Sequence, residues 1–344
     1  MKSKNIVVLA LVFLLGYVVS SLLKTPQAEV VASLAPARVR NYAMNVVYSS
    51  WAGWNGIKSP AQRLSDSKLG VQISFGGPLN GEPSQQIEEL EPLLQKKVNG
   101  IVLFASDAKS MTPMVNRAVS QGIPIVTLFG DAEGSNRLTF ISADDRGSAR
   151  RLTERVAEKF KSKFDSNNQA KVLLCTSKVG IQASDQRVQG VKDALAATPW
   201  MKLVDFISDE NDDAKSTELI SAAWTKHNGL DVIIGVVPRT AIGAIAALKE
   251  RQKKPGEVTI TGWDRDDDVL QGIKDGWILA VSTPKFDYMT QLAISILEAH
   301  NLGYLYPEPT NPGGVRSSPL PQRIDIEQSY IDKDNVDTFL KKRS

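Results

Sequence analysis

The two side chains that most often carry metal-bound or nucleophilic chemistry are scarce: 344 residues include one cysteine and two histidines. A lone cysteine forms no disulfide within its own chain, and Cys175 sits in the apolar run Val172-Leu173-Leu174-Cys175, the ordinary place of a small buried thiol. His227 precedes Asn228-Gly229 and His300 closes a helical stretch, positions where a cation suits a helix C-terminus. The chain has no His or Cys spacing suited to zinc, no glycine-rich phosphate loop and no nucleophile elbow with partners. Asp264, Asp266, Asp267 and Asp268 lack EF-hand spacing, and three of them open a helix, where negative charge is ordinary. Asp209 to Asp213 reads as a solvated turn. The expectation is therefore no metal and no cofactor, with an enzyme as the minority reading.

An excess of either charge is absent too. Lys and Arg number 41 against 38 acids, for a net charge of +3, and no basic stretch interleaves with aromatics. Nucleic acid is thus not an expected partner. The long uncharged run, Ile6 to Leu23, follows Lys2 and Lys4 and ends at Lys24. It is longer than an export core of roughly 7 to 15 residues and near the roughly 18 at which spanning helices begin, so it reads as an export signal or a membrane anchor. Ser21, Ala28 and Ala32 offer cleavage positions, and Thr25 to Arg40 reads as a disordered tether. The body is expected outside the cytoplasm, in the periplasm, with residues 6–23 as its contact with the inner membrane.

What is present is a rhythm. From Val46 to Thr283 the chain repeats an apolar β-branched strand, a short loop and an amphipathic helix, the pattern of parallel sheets with ligand-facing loops. Strands are expected at Met44–Tyr48, Val71–Phe75, Ile101–Phe104, Ile123–Phe129 and Leu138–Ser142. The second set is expected at Lys171–Thr176, Leu203–Ile207, Asp231–Val236, Val258–Trp263 and Ile278–Thr283, with one more at Arg323–Ile326. Pro92 predicts a kink or restart in the helix carrying Ile87, Leu90, Leu94 and Val98. An apolar fraction of 42% is enough to bury a core in each of two domains.

The segments Val98-Asn99-Gly100-Ile101-Val102-Leu103, Gly122-Ile123-Pro124-Ile125-Val126-Thr127, Ser184-Asp185-Gln186-Arg187-Val188-Gln189-Gly190, Ala241-Ile242-Gly243-Ala244, Thr261-Gly262-Trp263-Asp264 and Gly272-Ile273-Lys274-Asp275-Gly276, in this order, are similar to those of the type I periplasmic binding proteins. That group includes ribose-binding protein and the autoinducer-2 receptor, and the resemblance covers Asn41 to Gln328. It implies an α/β protein of two Rossmann-like lobes with parallel sheets, joined by a three-segment hinge and closing on a small ligand at the carboxyl ends of both sheets. Open α/β topology places ligands there generally. The expected division is a signal or anchor plus tether at 1–40, a first lobe at 41–144 and 284–316, and a second lobe at 145–283 and 317–344.

The resemblance puts Arg187 where the family has an arginine reaching into the cleft, and a guanidinium offers a fixed fork of donors to adjacent hydroxyls or a carboxylate. The alternative is a solvated helix arginine. Asp264 stands at the family's acidic cleft position, able to accept from two neighbouring hydroxyls or, alternatively, to cap a helix. Trp51 and Trp54 fall in the first strand-to-helix loop, where an indole face packs on a sugar's C–H surface or against the core. Phe104, Phe129, Gly130, Val237 and Pro238 depart from the polar contacts of ribose-type relatives. Ser106, Asp107, Asp131, Arg239 and Lys285 stand nearby as replacement polar groups, and Trp263 before Asp264 is similar to the autoinducer-2 receptor.

The resulting expectation is an extracytoplasmic solute-binding protein for a sugar, polyol or autoinducer-like molecule. It would serve an ABC permease or a membrane sensor such as a histidine kinase or chemoreceptor. The alternative is an exported α/β enzyme acting on a glycoside. A repressor core would need a DNA-reading helix-turn-helix before Asn41, where the apolar segment stands instead.

Overall fold

A computed structural model describes residues 39–47, 54–67, 70–79, 81–305 and 319–341, with the backbone alone at 54–56. The first apolar runs form β1 (Arg40–Val46), β2 (Val71–Gly76), β3 (Gly100–Phe104), β4 (Ile125–Leu128) and β5 (Thr139–Ala143). Between them lie α1 (Trp54–Asp66), α2 (Pro83–Gln95) and α3 (Ala108–Ser120). After α4 (Asp145–Phe160) come β6 (Ala170–Thr176), α5 (Gln182–Ala196), β7 (Met201–Ser208), α6 (Asp213–Lys226), β8 (Val232–Gly235) and α7 (Pro238–Glu250). β9 (Thr259–Trp263), α8 (Asp267–Lys274), β10 (Ile278–Thr283) and α9 (Phe286–Asn301) follow, then β11 (Arg323–Ile326), β12 (Ser329–Asp332) and α10 (Val336–Lys341).

Among the described residues the strands build two six-stranded sheets, ordered β2-β1-β3-β4-β5-β11 and β7-β6-β8-β9-β10-β12. Every pairing is parallel except that of β12 with β10. Strands such as β3 and β8 are apolar without alternation, and β9 is buried along its whole length, because helices cover both faces of each sheet. In the first lobe, Ile57, Ala61, Met289 and Leu297 cover one face and Leu90, Leu94, Met111 and Val115 the other. In the second, Ile220, Ala244, Val269 and Ile273 cover one face and Leu152, Val156, Val188 and Val191 the other. The α/β class with two doubly covered lobes is as expected.

Several details differ from the sequence expectation. β1 starts four residues earlier than Met44, because Arg40 and Tyr42 find partners on α9. Arg40 forks onto Glu298 at 2.7 Å from Nε and 2.5 Å from Nη2, Tyr42 donates to the same carboxylate, and Asn301 Nδ2 donates to the Tyr42 hydroxyl at 2.9 Å. Tyr48, the expected strand end, lies outside the described residues. α2 runs unbroken through Pro92, which falls in the last turn and forgoes one helical bond there. β12 and α10 were not expected; β12 is a four-residue edge strand with mixed polarity.

The placement of 317–344 in the second lobe is corrected for its first part. β11 pairs in register with β5, Ile324 against Ile141, so the chain through Ile326 belongs to the first sheet and only β12 and α10 to the second. Backbone pairing decides this, and apolar patterning does not show it. Among the described residues three short crossovers therefore join the lobes: Asp144–Asp145, Pro284–Lys285 and Glu327–Gln328.

Candidate functional site

All three crossovers leave from the carboxyl ends of strands, β5, β10 and β11, so the carboxyl edges of both sheets adjoin the hinge. β9 delivers Trp263 and Asp264 to that edge. Asp264 takes a left-handed backbone (φ 63°), which aspartate tolerates better than most residues, and its N–H donates to the Ser282 carbonyl at 2.8 Å. The carboxyl is buried and its Oδ1 has no hydrogen-bond partner among the described residues. Burial raises its pKa to about 7, Arg187 opposes the rise, and the negative charges of Asp266 and Asp145 add to it.

Arg187 projects from α5 beside it. Its Nε donates to Asp145 Oδ1 at 2.7 Å, its Nη1 donates to the Val236 carbonyl at 3.0 Å, and the guanidinium lies 4.4 Å from the centre of the Trp263 ring. Nη2 keeps its donors free of protein partners among the described residues. The alternative of a solvated helix arginine does not hold, since the side chain is only 12% exposed. α5 approaches α4 closely enough for this because residue 190 is glycine: a Cβ there would stand 2.1 Å from the Arg146 carbonyl oxygen.

The first lobe presents rings. Phe129 follows β4 as Asp264 follows β9, again with a left-handed backbone (φ 65°), and its N–H donates to Ile141 as that of Asp264 donates to Ser282. The second lobe thus repeats the first at this position with a carboxylate in place of a ring. Phe129 lies 5.9 Å from Phe104 and 5.5 Å from Phe286, centre to centre. Arg265 of the second lobe sits 5.8 Å from the Phe286 ring, and its Nη2 is 3.6 Å from Asp287.

Other expected residues are placed differently. Asp131 is engaged within the first lobe: it is buried, pairs with Arg137 through Nε and through Nη2 at 2.6 Å, and accepts from Thr127 at 2.7 Å. Arg239 faces Asp268 at 2.7 Å, Asp213 at 3.4 Å and Asp266 at 3.6 Å, which engages its charge within the second lobe. Trp263 is completely buried and serves as the platform under Arg187. Asp107 caps α3 by accepting from Ser110 N–H at 2.7 Å, and Lys285 occupies the cap position before α9. Asp209 is buried rather than on a solvated turn; it accepts from Asn211 N–H and Ser216 Oγ, each at 2.9 Å, and from Thr240. Trp51 lies outside the described residues, and Trp54 is described only as the backbone residue that opens α1.

Gln86, Asn45, Asp145 and Gln328 were missed. Gln86 is fully buried, donates at 2.8 Å to both Asn45 Oδ1 and the Phe104 carbonyl, and accepts from Ser106 N–H at 2.9 Å, so it fixes the first-lobe rim. Its position one turn before Leu90 and two before Leu94, on the buried side of α2, is the signal that marks it in the sequence. Asp145 and Gln328 carry no such signal, because their partners come from distant parts of the chain.

The two-lobed α/β body thus brings its polar pair and its rings to the hinge edge. The description of the periplasmic binding protein domain matches residues 46–303. The chain belongs to the periplasmic binding protein family. It is 26% identical over 207 residues to the D-ribose/D-allose-binding protein of Pseudomonas aeruginosa, covering 58% of this chain and 62% of that protein. To a ribose import binding protein of Haemophilus influenzae it is 23% identical, covering 69% and 77%. In structure it resembles a sugar-binding protein of a sugar ABC transporter from Bacillus halodurans, with a TM-score of 0.79 at 21% identity over 87% of this chain and all of that one. Members of the family are extracytoplasmic binding proteins rather than enzymes, and this periplasmic binding protein is accordingly a solute-binding protein.

Proposed function

We propose that the protein captures a small polyhydroxylated molecule, a sugar or polyol, between its lobes and hands it to an ABC permease. The observation that carries this reading is the buried Asp264 carboxyl, whose Oδ1 lacks a partner among the described residues, next to an Arg187 with donors unspent among them. A buried carboxylate oxygen without a hydrogen bond is costly, and a ligand hydroxyl that donates to it removes that cost. The Nη2 donors of Arg187 suit an oxygen on the same ligand, and the rings of Phe104 and Phe129 suit its C–H face. The names of relatives that bind ribose, allose and xylitol support the same class.

Closure then works by preference: the ligand stabilises the closed arrangement because both lobes touch it only there. The segment at residues 6–23 fits export or retention at the inner membrane, and N-terminal sequencing of the mature protein distinguishes the two. A thermal-shift screen of monosaccharides, polyols and autoinducer-like compounds, followed by calorimetry, tests the reading. At least one of these ligands is expected to bind the wild type and to lose most of its affinity in Arg187→Ala and Asp264→Ala. Normal binding by both variants would overturn the site assignment, and turnover of a glycoside would favour the enzyme alternative.

A further inference from the structure

The hinge and the polar pair are linked by hydrogen bonds. Asp145, on the first crossover, accepts from Arg187 Nε at 2.7 Å through Oδ1, and the same oxygen accepts from Gln328 Nε2 at 2.9 Å. Gln328, on the third crossover, is buried, and its Oε1 accepts from Ser282 Oγ at 3.0 Å. Ser282 precedes the last residue of β10, which leads into the second crossover, and its carbonyl holds the Asp264 N–H. One chain of bonds therefore joins the first and third crossovers to the strand that enters the second, and ends on the side chain of Arg187 and the backbone of Asp264.

We propose that Asp145 and Gln328 are positioning residues for ligand binding. They hold the Arg187 guanidinium over Trp263 and make the geometry of the crossovers a determinant of affinity. A crossover that only connects lobes needs no buried amide, and Gln328 is satisfied at both ends, by Asp145 on the first crossover and by Ser282 on the strand that enters the second. Hinge closure changes backbone angles at a few such residues, so any rotation of the third crossover against the first is felt at the Asp145 oxygen shared by Gln328 and Arg187. The inference rests on the reading of Arg187 as a ligand group, and its test is chosen to stand apart from that reading.

The test is the exchange rate with water of the Arg187 Nε–H, measured by NMR without ligand on full-length protein carrying 15N-arginine, with Arg187→Lys to assign the signal. The buried Arg137 Nε–H, held by Asp131, is the internal control. Gln328→Leu and the nearly isosteric Gln328→Glu are each expected to speed the Arg187 exchange about tenfold, the loss of one net hydrogen bond, and to leave Arg137 unchanged. Equal rates at Arg187 in the wild type and Gln328→Glu, or a parallel rise at Arg137, would overturn the proposal. Once a sugar is bound by the wild type, Gln328→Glu should weaken it about tenfold, and Gln328→Glu combined with Arg187→Lys no further than Arg187→Lys alone. Additive losses would also overturn it. If no sugar binds, the function proposed above fails while the exchange measurement still decides this one.

Discussion

Replacing Asp264 by asparagine should make the ligand-free protein more stable and a poorer binder at the same time. The side chain keeps its shape and asparagine tolerates the left-handed backbone, so the perturbation is the charge. Burial moves the carboxyl from its ordinary 3.8 to about 7. At about 1.4 kcal/mol for each factor of ten, holding the ionised group inside costs about 4 kcal/mol relative to the unfolded chain. Below about pH 4 both states hold the proton and the cost is absent. Between about 4 and 7 the native protein binds more protons than the unfolded chain, so stability falls as pH rises, and above about 7 the full cost is in place. Asp264→Asn should therefore match the wild type near pH 4 and exceed it at pH 8.5 by up to about 4 kcal/mol, a rise in Tm on the order of 10 °C for a lobe of this size. Differential scanning calorimetry at the two pH values reads this directly. At pH 8.5 the variant should bind the ligand roughly 10- to 150-fold more weakly, the range for a hydrogen bond to a charged group. A stability difference that is the same at both pH values would refute the buried ionisation, and a variant that gains stability while binding undiminished would refute the ligand role.

Gly190→Ala drives a Cβ against the Arg146 carbonyl and should cost about 1 to 3 kcal/mol through separation of α4 and α5; an unchanged thermal unfolding curve would contradict that packing. Asp131→Ala strands Arg137 inside the first lobe and should cost about 3 to 5 kcal/mol, with ligand affinity preserved at temperatures where the variant is folded; lost affinity there would return Asp131 to the binding site. Burial, with Asp209 and Asp205 adding to it, pushes the Cys175 thiol well above its usual range. A thiol reagent should therefore stay unreacted with native protein at pH 8 and titrate one group on unfolding, whereas rapid native reaction would contradict the burial of Cys175 in β6.

The sequence alone determined the class of fold, because strands covered on both faces are rich in apolar residues throughout and the helices between them must be striped. β3, β6, β9 and β10 therefore stand within a residue or so of where their runs predict them. It also singled out Arg187 and Asp264 as candidates, since those residues sit within motifs whose neighbours repeat the family's order, and the structure sets the two side by side. Tertiary structure decided the rest. Asp131 became a support because Arg137, six residues on, folds back to the same carboxylate, and Trp263 became a platform because Arg187 lies on it from another helix. β11 joined the first sheet through backbone pairing with β5, which leaves no trace in side-chain pattern. Gln328 and Asp145, 183 residues apart, share one oxygen at the hinge. Local pattern reports what a residue is next to along the chain, whereas the charge state and duty of a buried polar group depend on partners brought to it across the chain.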